Sequence, residues 1–247
     1  MVRLLTYNVL EGAQPDRLRE VLAVMRSAKA DVVAVQEARY WRRNRREVFH
    51  RVSRALGMRG LLFPANSGFD LAVFSRLPVI GHANLGLRTV FVHTTASVTM
   101  TAPGGGEFTL FITHLRPEYP YRRREARLLL KWMRPYRDRL CAMCGDLNSL
   151  TAGDYLARQF IRRGSQLRQG PREVIADIER AGWLDCFRLR NPRAPGLTLG
   201  AGRRVARVDY IFASQPLAER LAACRVLSHP DAKRASDHSP VWAEFDV

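Results

Sequence analysis

Short apolar runs divided by polar turns make up most of the chain, and the spacing of apolar positions alternates between strand-like and helix-like. Residues 3–7 read as a strand. Residues 15–28 read as a helix, because Leu18, Val21, Leu22 and Met25 recur at i, i+3, i+4 and i+7 and Pro15 stands near the start. Val32 to Val35 is wholly apolar, the pattern of a strand buried on both faces. A second helix is expected over 44–57, followed by strands near 59–63, 69–75, 78–86 and 90–101. The last of these alternates, meets the turn Ala102-Pro-Gly-Gly-Gly106, and forms a hairpin with Phe108 to Thr113. Ala126, Leu129, Leu130 and Met133 mark another amphipathic helix. Strands recur at 140–144, 207–213, 222–227 and 240–246, with shorter helices around 153–162 and 172–181. Interleaved strands and helices, with no repeat or long linker, predict one layered α/β (α+β) domain over 1–247 with mixed sheets.

Polar signatures punctuate this pattern at strand ends. Asn8, Glu37, His114 and Asp146 each follow an apolar strand, whereas Asp209 and His238 each precede one. If the later strands run in the opposite direction, all six positions gather along one rim of the sheets. Taken singly, a strand-end Asn or Asp is usually a turn residue, and a lone His is usually a satisfied core residue, as expected for His82 and His93. The ordered set is what argues for a site.

The residue types suit phosphodiester hydrolysis, which needs a neutralised phosphate, a deprotonated and aligned water, and a stabilised leaving oxygen. Glu37 is a hard oxygen ligand for Mg²⁺ or Mn²⁺, with Asn8 beside it and Asp237 as a further contact. In Gly145-Asp146-Leu147-Asn148, Asp146 and Asn148 are two apart and point the same way from extended chain, to orient water and phosphate. His238 is the candidate base or phosphate-contacting imidazole, with Asp209 to fix its tautomer, and His114 is a second imidazole for the phosphate or leaving oxygen.

Charge narrows the partner. Forty basic residues stand against 23 acidic ones, a net +17, and Lys29, Lys131 and Lys233 are the only lysines. A field of this sign favours polyanions. Residues 3–7 read as strand and not as a leader, and no apolar run approaches a membrane span, so the expected compartment is the cytoplasm. Cys141 and Cys144 have the spacing of a redox or zinc half-site, but lie three apart in a strand-like run and so face opposite ways; all four cysteines are expected to be reduced and structural.

From Thr6-Tyr7-Asn8 to Ser236-Asp237-His238, these motifs resemble the endonuclease/exonuclease/phosphatase superfamily, the fold shared by DNase I, exonuclease III, neutral sphingomyelinases and inositol polyphosphate phosphatases. The resemblance implies a four-layer αββα sandwich with two central mixed β-sheets and a divalent-metal site at one edge. By that similarity Asn8 and Glu37 hold the metal, Asp146 and Asn148 position water and phosphate, and Asp209 orients His238. The Thr-His at 113–114 is similar to the DNase I-like, sphingomyelinase-like and deadenylase-like branches. Relatives resembling exonuclease III generally carry a tyrosine-bearing motif there, which makes abasic-site repair the less expected role.

Basic, aromatic-interleaved stretches follow the motifs: residues 39–46 after Glu37, 116–124 after His114, and the five arginines between 190 and 207 before Asp209. As rim loops they would supply Arg39, Tyr40, Trp41, Arg42 and Arg123 to the substrate, guanidinium groups to phosphates and rings to bases. The leading expectation is a monomeric DNA-directed nuclease with little sequence preference and no stable membrane association. The alternative is a phosphoesterase acting on a phospholipid head group or small phosphate ester, against which the sequence shows no obvious exposed aromatic-aliphatic hairpin.

Overall fold

A computed structural model describes residues 1–14, 16–151, 171–200 and 206–247. Among the described residues, twelve strands form two six-stranded sheets. The first runs β11 (Leu221–Val226), β12 (Val241–Phe245), β1 (Val2–Asn8), β2 (Val32–Gln36), β4 (Leu71–Ser75), β3 (Arg59–Phe63). The second runs β5 (Val79–Asn84), β6 (Thr95–Thr101), β7 (Glu107–His114), β8 (Cys141–Asp146), β10 (Asp209–Ala213), β9 (Leu184–Asp185).

Period-two alternation divides each central strand between two cores. Val32 and Ala34 face the second sheet, in one core with Val98, Leu110, Ile112, Cys144 and Ile211. Val33 and Val35 face outward under α2 (Leu18–Ser27) and α3 (Glu47–Leu56), with Val21, Met25, Phe49 and Val52. On the other side α4 (Tyr121–Met133) and α5 (Pro171–Arg180) cover Phe111, Met143 and Phe212 through Ala126, Leu129, Val174 and Ile178. The result is a four-layer αββα sandwich, in which each fully buried aliphatic or Phe side chain contributes roughly 1.5–3 kcal/mol.

Strand direction collects the polar signatures. β1 and β2 are parallel, with Asn8 opposite Gln36, so both end at the same edge. β7 and β8 are parallel, with His114 opposite Asp146. β10 runs antiparallel to β8, with Asp209 opposite Asp146, and β12 runs antiparallel to β1. The carboxyl ends of four strands and the amino ends of two therefore share one rim, as the sequence pattern requires.

Several boundaries differ from expectation. β6 begins at Thr95 and not at 90, because the backbone turns through Arg88 (φ 59°) and Asn66 Nδ2 holds the loop by donating to the carbonyls of Gly86 (3.3 Å) and Phe91 (2.7 Å). α3 starts at Glu47, preceded by a 3₁₀ turn in which Arg45 and Arg46 are left-handed. The strand β9 and the following helix Cys186–Arg190 are too short to leave a period in the sequence. The helix expected around 153–162 lies outside the described residues. All four cysteines are buried and free; Cys144 lies in the inter-sheet core and Cys141 in the outer one. No helix among the described residues is long and apolar enough to cross a membrane.

Candidate active site

Two glycines let the chain build this rim. A Cβ on Gly145 (φ 141°) would fall 1.9 Å from the Thr113 carbonyl oxygen, so glycine lets β8 lie tight against β7 as His114 and Asp146 emerge. A Cβ on Gly12, in the turn α1 (Leu10–Ala13), would fall 2.0 Å from the Arg39 carbonyl oxygen, against the turn that carries Glu37. Glu37 itself is left-handed (φ 59°), as is Asn148 (φ 46°). Such conformations cost of order 1–3 kcal/mol and persist where surrounding bonds impose them. For Glu37 those bonds are Gly12 N to its carbonyl oxygen and Glu11 N to its Oε2, both 2.8 Å.

Asn8 is fully buried at the centre. Its Nδ2 donates to Glu37 Oε1 at 3.0 Å and to Asp146 Oδ2 at 3.1 Å, while Leu10 N fixes its Oδ1 at 3.0 Å. One amide thus joins carboxylates from both sheets. Asp146 Oδ2 also lies 3.6 Å from His114 Nε2 and 3.7 Å from His238 Nε2. Asp146 Oδ1 accepts from Asn148 N at 2.9 Å, and the Asn148 amide donates to Leu115 O at 2.9 Å.

His238 is held from behind. Its Nδ1 lies 2.8 Å from Asp209 Oδ2, and its backbone N–H donates to Ser236 Oγ (3.1 Å), which in turn donates to Asn8 O (2.8 Å). Asp209 is set by Thr198, whose Oγ1 accepts from Asp209 N at 3.2 Å. Burial works against an imidazolium, but the charge and hydrogen bond of Asp209, with Asp146 and Asp237 nearby, outweigh it and raise His238 to about 10. Burial, together with the charge of Asp209, raises Asp146 above the usual carboxylate range.

The donor set fits a hard divalent cation. Glu37, Asp146, Asp209 and Asp237 bring carboxylates to one rim, and buried oxygens of Asp209 (Oδ1) and Asp237 (Oδ1) have no hydrogen-bond partner among the described residues. Asp146, Asp209 and His238 have ligand atoms within 4.8 Å of one another. In that trio Asp209 Oδ2 is already engaged by His238 Nδ1, so the set reads better as an acid–base group. The oxygens that would serve a cation are those of Glu37, Asn8 and Asp237. Glu37 Oε1 and Oε2 and Asn8 Oδ1 each already accept one N–H, so a cation there would use the second lone pairs of oxygens held in place by those bonds and would complete its shell with water.

Two of the expected substrate contacts take different roles, and so does Arg207 of the third basic stretch. Trp41 is 0% exposed, and its indole N–H donates to Gly12 O at 3.0 Å, so it anchors the turn and its ring is not available to a base. Arg123 binds Asp177 at 2.7 Å and Glu173 at 2.8 Å, fastening α4 to α5. Arg207 is buried against Asp185 at 2.6 Å and is no rim cation. Arg39, Tyr40 and Arg42 do line a pocket of about 410 Å³ with Arg43, Ser67 and Asp70. There Arg42 Nε is fixed on Asp70 (2.7 Å), Arg39 pairs with Glu11, and the Arg39 guanidinium lies 4.7 Å from both the Tyr40 and Phe69 ring centres.

One residue set aside by the sequence reading stands against the site. His93 stacks on His114 with ring centres 4.1 Å apart and planes 8° from parallel. The signal was its position, two residues before a strand whose first residue, Thr95, pairs with Thr113.

The whole architecture is similar to solved structures. An AP endonuclease from Archaeoglobus fulgidus shares 21% identity at a TM-score of 0.75, with 100% of both chains covered. A 3′ phosphatase, NExo, from Neisseria, bound to a product DNA hairpin, shares 19% identity at 0.80, again with 100% of both chains covered. An endonuclease/exonuclease/phosphatase from Beutenbergia cavernae shares 21% identity at 0.70, covering 98% of this chain and 70% of that one. Residues 5–238, which hold every side chain assembled at the rim, match the Endonuclease/Exonuclease/phosphatase family, and the chain belongs to that family.

Proposed function

We propose that the protein is a divalent-metal-dependent nuclease that hydrolyses DNA phosphodiester bonds with little sequence preference. Members of the family are metal-dependent hydrolases of phosphoester bonds. The observation that carries the reading is the position of Asp146 Oδ2, within 3.1–3.7 Å of the Asn8 amide and of Nε2 on both His114 and His238. A carboxylate so placed takes the proton of an attacking water, and Asn148 aligns that water beside it. His238, charged against Asp209, turns Nε2 towards a phosphate oxygen. His114 approaches from the other side and serves the second oxygen or the leaving group.

Glu37, with Asn8 and Asp237, would hold Mg²⁺ or Mn²⁺. A cation there supplies charge neutralisation and a more acidic water.

DNA is supported by the net +17 charge, by the arginine-lined pocket next to Glu37, and by the DNA hairpin on the similar Neisseria phosphatase. Backbone contacts by arginine carry little sequence information, hence the low specificity. The site is complete within one chain, which fits a monomer. A lipid head-group substrate has one observation in its favour. The loop leading to His93 exposes Leu87 and Val90 on either side of Arg88, an apolar feature the sequence reading did not find.

An activity panel over plasmid, single-stranded DNA, RNA and phospholipid vesicles, with Mg²⁺ or Mn²⁺, separates these. Nicking of plasmid that EDTA and His238→Ala both abolish is expected. Head-group release without any nucleic-acid cleavage would replace the proposal with the lipid reading.

A further inference from the structure

His114 faces the reaction centre with only one long hydrogen bond, at 3.5 Å from the Asn148 amide, to set its ring. Its Nδ1 is buried and has no partner among the described residues, and its Nε2 is 3.6 Å from Asp146 and 3.5 Å from the Asn148 amide, at or beyond useful hydrogen-bond length. A functional imidazole is ordinarily oriented through the nitrogen turned away from the substrate. In this protein the contact is made through the ring face instead.

That face is His93, parallel at 4.1 Å. His93 is in turn held on two sides: Ser67 Oγ lies 2.8 Å from its Nδ1, and Phe69 packs against it at 5.5 Å and 78°. The backbones bearing the two histidines are tied together by one buried carboxylate. Glu125 Oε1 accepts from Val92 N at 2.8 Å, and Glu125 Oε2 accepts from Arg116 N at 2.9 Å. Those donors adjoin His93 on one strand lead-in and follow His114 on the other. A stack of two imidazoles tolerates a proton on one ring only if the other stays neutral. Burial, reinforced by the neighbouring His114 and Arg116, drives His93 down to about 2.

We propose that His93 is a positioning residue, whose stacked ring, pinned by Ser67, sets the plane of His114 so that Nε2 is presented beside Asp146. This rests on the reading of His114 as part of the reaction. The idea has a consequence that general structural support would not have, because the effect of His93 must pass through His114.

The test is a double-mutant cycle with His93→Ala, His93→Phe, His114→Ala and the His93→Ala/His114→Ala pair. Mg²⁺-dependent hydrolysis of bis(p-nitrophenyl) phosphate and of plasmid would be measured, with folding checked by thermal melts. A misplacement of about 1 Å can cost on the order of 100-fold in rate. His93→Ala should therefore lower kcat by roughly ten- to a hundredfold with KM nearly unchanged. His93→Phe, which keeps a flat ring but loses the bond to Ser67, should restore part of kcat, and His93→Ala should have no further effect once His114 is alanine. Equal losses with and without His114, or a phenylalanine variant no better than the alanine one, would overturn the proposal. An arm independent of activity compares the His114 ring proton shifts by NMR in wild type and His93→Ala. The stack predicts an upfield ring-current shift that the substitution removes, and unchanged shifts would also overturn it. If the wild type cleaves neither phosphodiester, the functional reading fails, and this arm still decides the orientation of His114.

Discussion

His238 Nδ1 lies 2.8 Å from Asp209 Oδ2, and the two residues are 29 apart in sequence and carried by different sheets. Asp237, the sequence neighbour of His238, is 3.9 Å from the other ring nitrogen. The carboxylate behind the imidazole fixes which nitrogen is free, and the carboxylate beside it is left for the front of the site.

Asp209→Asn keeps the size and polarity of the side chain while removing the charge that sustains the imidazolium. It should lower kcat on the order of 100-fold or more with KM little altered, since the lost interaction is strongest when charge builds on phosphate. Steady-state kinetics on plasmid nicking decide it. A change confined to KM would mean that Asp209 serves binding and not the orientation of His238.

Metal dependence should appear in stability as well as in rate. Clustered carboxylates repel one another in the folded state, so a cation that binds only that state stabilises it by RT ln(1 + [L]/Kd), about 2.7 kcal/mol at a hundred times Kd. Titrating Mg²⁺ or Mn²⁺ should raise the melting temperature by several degrees, and EDTA should reverse the rise. Glu37→Gln removes a charged ligand and should abolish most of the shift. An equal shift in the variant would place the cation elsewhere.

Much of this candidate site was legible because polar side chains at strand ends interrupt apolar runs. Asn8, Glu37, His114 and Asp146 each sit where a buried run stops, and parallel or antiparallel pairing then decides whether such ends meet. What could not be read was the face a side chain takes and the partner it finds. Trp41 sits in the same basic stretch as Arg39 and Arg42, yet it points inward to Gly12. Arg123 looks like its neighbours Arg122 and Arg124 until α5 supplies two carboxylates. His93 looked like an ordinary core histidine, because its contact with His114 depends on the pairing of Thr95 with Thr113 and on no local pattern.

Glu125 gives the fold a pH signature away from the carboxylates of the candidate site. Burial raises it to about 7, although the N–H groups of Arg116 and Val92 favour its charged form. Between the ordinary glutamate value of 4.5 and about 7 the unfolded chain has released this proton while the folded chain retains it. The contribution of Glu125 is therefore fully present below about 4.5, is lost as pH rises through about 7, and is flat above that. The change amounts to a few kcal/mol. The difference in unfolding free energy between wild type and Glu125→Gln should decline across this window and level off above it. Urea unfolding at several pH values measures it, and a difference that rises with pH would have the wrong sign.

Arg39 and Arg42 are the surviving candidates for phosphate contact, each steadied by an acid that leaves guanidinium N–H groups for a ligand. Neutralising a phosphate on duplex DNA releases counterions, so log K falls against log salt with a slope of roughly −0.9 per contact. Arg39→Ala and Arg42→Ala should each make the slope shallower by about one and weaken binding alike on unrelated sequences. Arg123→Ala, whose guanidinium is committed to Asp177 and Glu173, should leave the slope unaltered while lowering the melting temperature. Fluorescence anisotropy with labelled duplexes, in the catalytically disabled His238→Ala protein, makes the comparison without cleavage. If Arg123→Ala changes the slope and Arg39→Ala does not, the DNA path lies over α4 and not over the pocket beside Glu37.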